Sequence, residues 1–544
     1  MSIGVPEASD ASGPAPRGPR PAALDPAVFD PAALDPGALD PAAFDLAAFD
    51  LAGARAVHVV GAGGAGMSAI ATVLVSMGKR VSGSDLVDSA ALRRLGAAGV
   101  GVHVGHRAES IGDADVVAVS TAVPATNVEV RAAGERGIPV LRRADLLAAI
   151  CRSRPTVAVA GTHGKTTTSS MLALILVEAG MRPSYVIGGE VADLGGGALW
   201  EPGHLDAPFV VEADESDGTF VELGARDALV TNLEPDHLDH WGSFANLVAA
   251  FDRFVGDAPG PCVVGIDGPG GAALARRSGA VTFGTSARAD WQLRRPHAER
   301  TGMRFTLARG DTELGEVRVG VPGLHNARNA LGALAMAVEL GAPLEAGLRA
   351  LARYGGVARR WQLRGEAAGV TFVDDYAHLP GEVVAVIATA LEGGWGRVVV
   401  VFQPHRFTRT EALWRDFAHA FAGAGLLVVT EVYGAGEARR PGVSGKLIVD
   451  AVLDAHPYAR CAWLPGRRDL VAYLERELRP GDVCLTLGAG DLTLVPDEII
   501  RALLARRDPS GAREAGSGGG VAPDGAEGDD PDAGGSGPGG RSVG

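Results

Sequence analysis

A glycine-rich segment in the middle of the chain has the composition of a phosphate-binding loop. It follows the apolar run Thr156–Ala160, reads Gly-Thr-His-Gly-Lys-Thr-Thr-Thr over positions 161–168, and leads into a stretch of helical character. Backbone N–H groups of such a loop surround phosphate oxygens, the lysine reaches the β- and γ-phosphates, and the next hydroxyl ligates Mg²⁺. The segment therefore predicts nucleotide binding by Gly161, Thr162, His163, Gly164, Lys165, Thr166 and Thr167.

The loop departs from the usual pattern at one position, because Val159 stands where the first glycine is expected. The lysine content of the chain nevertheless argues against a chance match. The chain has three lysines, Lys79, Lys165 and Lys446, against 47 arginines, and one of the three lies between Gly and Thr at a strand-to-helix turn.

A second glycine-rich turn lies nearer the N-terminus, directly after the apolar run Ala56–Val60. It reads Gly-Ala-Gly-Gly-Ala-Gly-Met over positions 61–67, and an aspartate follows nineteen residues later. Bare glycines let the backbone approach a pyrophosphate at a helix N-terminus, and an acid at this spacing binds a ribose hydroxyl. The pattern indicates a dinucleotide site, unless the turn only packs a helix onto a strand. The predicted site residues are Gly61, Gly63, Gly64, Gly66 and Asp85.

Two acidic segments follow apolar runs in the same central part of the chain. Residues 212–217 read Glu-Ala-Asp-Glu-Ser-Asp, and residues 234–240 read Glu-Pro-Asp-His-Leu-Asp-His. Because the carboxyl ends of parallel strands meet in one crevice, we expect these acids and the first histidine to approach the phosphate loop and hold Mg²⁺. Two alternatives stay open, namely a zinc site and helix capping. The zinc site would use His237 and His240, and the caps would be Asp236 and Asp239.

Further along the chain, polar side chains three residues apart mark two more candidate binding elements. Asn326 and Asn329 lie near a helix start, where their amides either read the edge of a base or cap the helix. Arg406 and Arg409 follow the apolar run 398–402 and form a candidate fork for a carboxylate or phosphate.

These motifs lie at the ends of apolar, strand-like runs that alternate with helical stretches. Such alternation predicts α/β domains built on parallel sheets with covered faces. Breaks near 151–155 and 354–360 give a Rossmann-like N-terminal domain (54–154), a P-loop ATPase-like central domain with a parallel sheet (155–355) and a Rossmann-like C-terminal domain (356–507). Strands are expected at Ala56–Val60, 115–120, Thr156–Ala160, Phe209–Glu212, 228–232, 398–402, Leu426–Val429 and Asp482–Leu487.

The two ends of the chain differ in composition from this core. Residues 1–53 include six copies of a five-residue unit, an apolar residue followed by Asp, and residues 508–544 are rich in glycine. Both compositions predict disordered extensions, although a docking arm built from the repeat is the alternative for the first.

Charge and cysteine content exclude several classes of protein. The net charge is −15, of which the two extensions carry −6 and −5, and this balance argues against binding nucleic acid or an anionic membrane surface. The four cysteines form no C-x-x-C pair, and neither a signal peptide nor a run of about 18 apolar residues occurs. We expect a cytoplasmic protein.

Taken together, these segments resemble the Mur ligase family of peptidoglycan synthesis over about residues 56–505. The segments that carry the resemblance are 61–67, 161–168, 212–217, Glu234-Pro-Asp-His237, His325-Asn326 with Asn329, Asp374-Asp-Tyr-Ala-His378 and Gln403-Pro-His-Arg-Phe-Thr-Arg409. The resemblance implies an ATP- and Mg²⁺-dependent ligase, a monomer or weak homodimer. Its first domain would bind UDP-N-acetylmuramate instead of NAD, its second ATP, and its third would bring L-alanine.

The resemblance also implies a reaction and roles for individual residues. The lactyl carboxylate would take the γ-phosphoryl group of ATP, and the amine of alanine would attack the resulting acyl phosphate. Lys165, Glu212, His237 and His378 would be catalytic. Lys165 would bind the transferred phosphate, while Thr166 and Glu212 would ligate one Mg²⁺ and His237 a second. The muramate would be bound by Glu215, Ser216 and Asp217, and the adenine by Asn326 and Asn329. The alanine would be bound by His378, Arg406 and Arg409.

The sequence departs from the family pattern at two places, and three alternative functions stay open. Residues 378–382 read His-Leu-Pro-Gly-Glu where the family usually shows His-His-Pro-Thr-Glu, and Val128 stands where proline is common. The alternatives are a related recycling ligase that attaches a whole tripeptide to the same sugar nucleotide, a catalytically impaired nucleotide-binding paralogue, and a dehydrogenase. The dehydrogenase rests on the first glycine turn alone, and hydride transfer needs no triphosphate loop.

Overall fold

The first unit of the fold is a five-stranded parallel sheet with helices on both faces. The computed structural model describes Phe49 and residues 51–507. The elements of the first unit are β1 (Ala56–Val60), α1 (Ala65–Ser76), β2 (Arg80–Asp85), α2 (Ala90–Ala97), β3 (Gly101–Val104), β4 (Val116–Val119), α3 (Val128–Glu135), β5 (Val140–Arg142) and α4 (Arg143–Cys151). The strand order is β3-β2-β1-β4-β5. Successive β1 residues face opposite cores, since Val59 packs on the α1 and α4 side and Val60 on the α3 side.

The second unit is a ten-stranded sheet whose middle strand leads into the phosphate loop. Its strands are β6 (Thr156–Ala160), β7 (Ser184–Val186), β8 (Ala198–Leu199), β9 (Phe209–Glu212), β10 (Asp227–Val230), β11 (Cys262–Gly265), β12 (Val281–Gly284), β13 (Trp291–Glu299), β14 (Gly302–Arg309) and β15 (Thr312–Val319). Its helices are α5 (Lys165–Glu178), α6 (Leu238–Trp241), α7 (Phe244–Gly256), α8 (Pro269–Ser278), α9 (Leu324–Glu339) and α10 (Leu344–Arg353). In the order β15-β14-β13-β12-β11-β10-β6-β9-β7-β8, β6 lies between β10 and β9 and is parallel to both.

The third unit is a six-stranded sheet that is parallel except at one edge. Its strands are β16 (Gln362–Ala367), β17 (Val370–Asp375), β18 (Arg397–Phe402), β19 (Leu426–Val429), β20 (Cys461–Trp463) and β21 (Asp482–Leu487). Its helices are α11 (Pro380–Glu392), α12 (Phe407–Leu413), α13 (Lys446–Ala455), α14 (Arg467–Glu477) and α15 (Val495–Arg507). The order is β16-β17-β21-β18-β19-β20, and β16 pairs antiparallel to β17.

The structure confirms the predicted α/β class and the three mostly parallel sheets. Five of the expected strands, β1, β6, β9, β19 and β21, have the predicted bounds, and β4, β10 and β18 differ by one or two residues at an end. The helices after the two glycine segments begin at Ala65 and Lys165, inside those segments. Each glycine turn therefore ends in the free N–H groups of a helix N-terminus.

The antiparallel strands β13–β15 at one edge of the central sheet were not predicted. In β14 the buried residues Met303, Phe305 and Leu307 alternate with Arg304 and Thr306, which are partly exposed. A strand that faces a core on one side alternates apolar and polar residues. Such a strand contains no continuous apolar run. The other strands were predicted from continuous apolar runs, so this signal was missing for β13–β15.

The end of the N-terminal extension contacts the first unit. Leu51 is buried in its core, Phe49 packs against the same cluster, and Lys79 Nζ donates to the carbonyl oxygens of Leu51 and Ala52 at 2.7 and 3.1 Å. The predicted extension 1–53 thus differs from the structure at its last residues. The predictions for 1–48, residue 50 and 508–544 lie outside the described residues.

The first and second units share one hydrophobic core, whereas the third has its own. Residues of β1 and α1 belong to the same buried cluster as residues of β9, β10 and α7. The other face of the central sheet packs on α5, α9 and α10, and the third sheet has a separate cluster on each face. Among the helices of residues 51–507, none combines the length and apolar character needed to cross a bilayer.

A buried polar cluster holds the first glycine turn in place. The carbonyl oxygen of Ser84 accepts the N–H groups of Gly61 and Ala62 at 2.8 and 2.9 Å. The Ser84 hydroxyl donates to Glu129 Oε2 at 2.5 Å, and His58 Nε2 lies 3.6 Å from the same oxygen. Burial opposes ionisation of Glu129, but the nearby His58 ring and hydrogen bonds from Ser84 and the Arg107 N–H lower its pKa to about 2. The charged carboxylate is therefore part of the folded core.

We predict that Glu129→Gln destabilises the protein by about 1–3 kcal/mol at neutral pH, the usual cost of losing a charge-assisted buried hydrogen bond. The folded-state pKa of Glu129 lies below its unfolded value of 4.5. Its contribution is therefore complete above about pH 4.5 and is lost as the pH falls towards about 2. Urea unfolding at several pH values should show the wild-type advantage shrinking in acid. Glu135→Gln, at the exposed end of the same helix, is the control, and a pH-independent difference would contradict the assignment.

Candidate active site

The phosphate loop follows β6, and its conformation requires glycine at two positions. Gly161 has φ +128° and Gly164 has φ +84°, values that side-chain-bearing residues rarely adopt. A Cβ on Gly161 would lie 2.1 Å from Thr231 Oγ1, and one on Gly164 would lie 2.4 Å from Asn329 Oδ1. The loop is therefore packed tightly between the end of β10 and the first turns of α9.

Side chains at the end of β10 hold this loop. The Asn232 amide accepts the His163 N–H at 3.0 Å and donates to the His163 carbonyl at 2.9 Å. The Thr231 hydroxyl donates to the same carbonyl at 2.6 Å, and the Thr162 hydroxyl accepts the Glu234 N–H at 3.0 Å. Thr162 and the backbone of His163 thus fix the shape of the loop.

Lys165 is held at the mouth of the loop by an acid from the neighbouring strand end. Its Nζ donates to both Glu215 carboxylate oxygens, at 2.9 and 2.8 Å, and to the Gly161 carbonyl at 3.0 Å. Both side chains are largely buried, with 13% and 1% exposed. Burial raises the pKa of Glu215, against the lowering effect of Lys165. Lys165 also lowers the pKa of Asp214 against the effect of burial.

Oxygen ligands suited to a divalent cation lie beside the lysine. Thr166 Oγ1 donates to Glu212 Oε1 at 2.9 Å, and the Gly188 N–H donates to Glu212 Oε2 at 2.8 Å. His237 Nε2 lies 3.8 Å from Glu215 Oε1. A hydroxyl and carboxylates are the ligands that Mg²⁺ prefers in phosphate loops, so the donor set of Thr166 and Glu212 fits magnesium.

The two alternatives for the second acidic segment find no support. The His240 ring lies against Trp241 and Gly218, away from His237 at Glu215. Within residues 51–507, no three His, Cys, Asp or Glu side chains group as a metal site would require. The N-cap of α6 is His237, at φ +52°, and no side chain caps it in that part of the chain. The capping interpretation is therefore wrong for Asp236, which instead accepts the His237 N–H at 2.8 Å.

Asn326 and Asn329 are both buried at the start of α9, but neither caps it. The N-cap is Gly323, so the capping alternative is wrong. Asn329 lies against Gly164 of the phosphate loop, whereas the Asn326 amide donates to the Pro322 carbonyl at 2.7 Å. Asn329 is therefore next to the loop, and Asn326 braces the segment before the helix. Their contact with adenine stays a prediction.

The first glycine turn is braced by its own aspartate. Asp85 Oδ2 accepts the Gly63 N–H at 2.9 Å, and a Cβ on Gly63 would lie 2.8 Å from that oxygen. Asp85 thus holds the turn, and its predicted bond to a ribose stays a prediction.

Two of the predicted muramate-binding residues lie near the boundary between the first two units. Asp217 Oδ2 lies 3.9 Å from Arg143 Nη2, and the Ser216 N–H donates to Asp214 at 3.1 Å.

A cluster in the third unit contains the predicted alanine-binding residues. His378 Nδ1 lies 3.1 Å from the Tyr376 carbonyl and 3.4 Å from Glu382 Oε2. Arg409 Nη1 lies 3.2 Å from His405 Nδ1. Burial, opposed by Glu382, lowers the pKa of His378. Burial also lowers the pKa of His405 to about 4, with His378 and Arg409 adding to the effect.

Arg406 and Arg409 lie in the same third-unit cluster as His405. Burial and Arg406 lower the pKa of Arg409, while Glu382, Tyr376 and Asp236 raise it. Arg406 has φ +67°, and its N–H donates to the Tyr433 carbonyl at 2.8 Å. The structure therefore brings Lys165, Thr166, Glu212, Glu215 and His237 together. It groups His378 and Arg409 around His405 in the third unit, with Arg406 three residues before Arg409.

Two arginines at the junction of the second and third units were not among the predicted site residues. Arg359, at φ +61°, donates to the carbonyls of Gly488 and Gly490 at 2.6 and 3.0 Å. The charge of Arg360 lowers the pKa of His378 and of Glu382. An adjacent arginine pair at a predicted domain break was the available signal, but it is weak in a chain with 47 arginines.

Comparisons with known proteins give matches over most of the chain. The Mur ligase family catalytic domain matches residues 56–155, the Mur ligase middle domain 159–337, and the Mur ligase glutamate ligase domain 359–490. A UDP-N-acetylmuramate–L-alanine ligase of Myxococcus xanthus is 47% identical over 451 residues, 82% of this chain and 95% of the relative. One of Rubrobacter xylanophilus is 45% identical over 82% of this chain and 100% of the relative. The crystal structure of a Thermotoga maritima UDP-N-acetylmuramate-alanine ligase has a TM-score of 0.72 and 29% identity, over 83% of this chain and 99% of that one.

We predict that Gly164→Ala weakens ATP binding at least tenfold, because its Cβ would lie 2.4 Å from Asn329 Oδ1 and force the loop or α9 to move. Gly180→Ala is the matched control at the other end of α5. Gly180 also has positive φ, +73°, but open space around it, so its substitution should cost only about 1–2 kcal/mol of stability. Isothermal titration with ATP, beside thermal unfolding, checks both variants. Equal ATP affinity in the two would show that the Asn329 contact does not matter.

Proposed function

This chain belongs to the Mur ligase family, and we propose that it joins L-alanine to the lactyl carboxylate of UDP-N-acetylmuramate with ATP as the energy source. The observation that carries the proposal is the geometry of the phosphate loop, where Lys165 Nζ donates to Glu215 at 2.9 and 2.8 Å and Thr166 Oγ1 donates to Glu212 at 2.9 Å. This arrangement accompanies 47% and 45% identity to L-alanine ligases over 95% and 100% of their lengths.

The reaction needs activation because a carboxylate is not attacked by an amine at neutral pH. The lactyl carboxylate takes the γ-phosphoryl group of ATP and becomes an acyl phosphate, so that phosphate can leave. Lys165 offsets the negative charge that develops as two anions approach, by positioning and electrostatics. Its ion pair with Glu215 fixes where that charge stands. The amine of alanine then attacks the carbonyl, and the tetrahedral intermediate collapses to amide and phosphate without a protein nucleophile.

Magnesium is the cofactor that the oxygen-rich donor set fits. We assign Thr166 and Glu212 to one Mg²⁺ and His237 to a second. When bound, the ion neutralises phosphate charge and orients the γ-phosphoryl group. The Gly188 N–H, bonded to Glu212 Oε2 at 2.8 Å, orients the carboxylate that would ligate it.

The third unit supplies the second substrate. Arg406 and Arg409 bind the carboxylate of alanine, since a guanidinium pair gives a directional match to a carboxylate. His378 has a pKa lowered by burial, so it is neutral near pH 7 and accepts a proton as the ammonium group of alanine becomes a nucleophile. Glu382 holds the imidazole through a contact of 3.4 Å.

The remaining assignments follow from the family. The first domain (54–154, with Leu51 packed into its core) binds UDP-N-acetylmuramate through Gly61, Gly63, Gly64, Gly66 and Asp85. The central domain (155–355) binds ATP through the loop 161–167, with Asn326 and Asn329 at the adenine, and presents Glu215, Ser216 and Asp217 to the muramate. The C-terminal domain (356–507) brings alanine. We further propose a cytoplasmic monomer or weak homodimer that binds neither nucleic acid nor membrane.

One alternative is the tripeptide recycling ligase, which differs from the proposed enzyme in its amine substrate, a tripeptide instead of L-alanine. A catalytically impaired paralogue is the other, motivated by Leu379 and Gly381 in the third-unit motif. Retention of Lys165, Thr166 and Glu212 in mutual contact with neighbouring acids speaks against impairment.

We predict phosphate release that depends on L-alanine when the purified protein is given ATP, Mg²⁺ and UDP-N-acetylmuramate, with a product heavier by one alanyl residue. Lys165→Ala should lower kcat/KM by about 10²–10³, the usual loss of one charge-stabilising group. Lys446→Ala, which removes an exposed lysine paired with Asp450, should retain wild-type activity. Release only with the tripeptide would favour the recycling ligase. If no acceptor gives phosphate release although ATP and the sugar nucleotide bind, the impaired paralogue is the alternative that is left.

We also predict that Thr166→Val raises the Mg²⁺ concentration for half-maximal activity about 10–100-fold, the range seen when a metal site loses a supporting group. The substitution keeps the shape of the side chain and removes the hydroxyl that donates to Glu212. Thr72→Val is the control, because that hydroxyl donates only within α1. A magnesium titration of initial rates tests this, and an unchanged midpoint would remove Thr166 from the metal site.

A further inference from the structure

Arg143 occupies the boundary between the glycine turn of the first unit and the acidic segment of the second. It is the first residue of α4, and its guanidinium lies over the first turn of α1. A Cβ built on Gly66 would lie 3.1 Å from Arg143 Nη1 and 3.3 Å from its Cδ. On the other side, Asp217 Oδ2 lies 3.9 Å from Arg143 Nη2. The side chain therefore spans from the turn to the acids.

The electrostatics of this position favour an anion. A helix N-terminus carries a partial positive charge and free N–H groups. In the described part of the chain, the first turn of α1 has neither an acidic residue nor a side-chain cap. The guanidinium adds a full positive charge near this end. The neighbouring carboxylates of Asp85 and Asp217 accept the backbone N–H groups of Gly63 and Thr219.

The contact with Asp217 does not satisfy Arg143. At 3.9 Å it is beyond hydrogen-bond distance, and about a third of each side chain is exposed, so the pair contributes little. Asp217 Oδ1 already accepts the N–H of Thr219 at 3.1 Å and its hydroxyl at 2.5 Å. Asp217 is thus fixed by its own loop.

The preceding arginine differs in this respect. Arg142 donates to both oxygens of Asp145, from Nε at 3.0 Å and from Nη2 at 2.7 Å, and lies 3.4 Å from Glu222. Side-chain hydrogen bonding to Asp145 raises the pKa of Arg142, against the effect of burial. The two adjacent arginines at the start of α4 therefore differ in their contacts. Arg142 pairs with acids of the fold, whereas the Arg143 side chain lies at the glycine turn.

We propose that Arg143 binds the diphosphate of the UDP-sugar at the glycine turn and makes the enzyme select a diphosphate over a shorter phosphate. This inference rests on the proposed function, which places that substrate at the turn. A guanidinium presents two parallel N–H donors to phosphate oxygens, and the α1 N–H groups approach the same oxygens from the other side. Because Asp217 belongs to the segment assigned to the muramate, Arg143 also sets the diphosphate relative to the sugar.

The test compares ligands that differ only in phosphate content. Isothermal titration of the full-length protein with UDP, UMP and uridine should show that Arg143→Gln weakens UDP about 10–100-fold, weakens UMP less and leaves uridine unchanged. Arg143→Lys should be intermediate, since it keeps the charge and loses the fork. In steady state, Arg143→Gln should raise the KM for UDP-N-acetylmuramate by a similar factor, with kcat and the KM for ATP within twofold of wild type.

Arg142→Gln is the matched control, which should lower the unfolding temperature through loss of Asp145 and Glu222 and leave UDP affinity unchanged. Wild-type UDP affinity in Arg143→Gln would overturn the proposal. An equal loss for UDP and uridine would also overturn it, because that pattern marks a structural role. Failure of the proposed function alone would give a different result. UDP binding would still depend on Arg143, but the wild-type protein would release no phosphate with L-alanine.

Discussion

The parallel pairing of β6 between β9 and β10 is the constraint on which the site depends. Val159 is in register with Glu212, and Ala160 with Val230, so these three strands end at one edge of the sheet. All three strands are buried on both faces, and alternate residues pack in two different clusters. A one-residue shift in register would exchange the side chains of the two clusters and disrupt the packing of both. The glycine loop, the acidic segment after β9 and the segment before His237 are therefore brought together by packing of a core that contains none of them.

This dependence explains which features were predictable from the sequence. Apolar runs mark buried parallel strands, and β6 and β9 have the predicted bounds because each is such a run. The motifs follow those runs, so their convergence could be inferred from topology alone. The partners within the site could not. The pairing of Lys165 with Glu215 and the contact of Asn329 with Gly164 join residues 50 and 165 positions apart, which no local pattern specifies.

The departure from the family pattern in the third unit can be understood in the same terms. The Glu382 carboxylate accepts the backbone N–H groups of His378 and Leu379 at 2.9 and 3.1 Å, so it closes the start of α11 whatever side chain follows the histidine. A Cβ on Gly381 would meet no atom within 4 Å, which means that space does not demand glycine there. The segment thus keeps the group that orients His378 and changes residues that the helix start does not need.

The distribution of cores divides the reaction between a rigid pair of units and a separate third. The first and central units share one buried cluster, so the distance between the glycine turn and the phosphate loop is set by the interior of the protein. An acyl phosphate must form between two substrates held at that distance, and a fixed separation favours in-line transfer. The third unit has its own two clusters and meets the central unit through contacts such as Arg300 with the Gly393 carbonyl at 3.4 Å. Under the proposed assignment of alanine to the third unit, the amine donor is carried by the unit that shares no buried cluster with the other two. That assignment separates alanine binding from the fixed geometry of phosphoryl transfer.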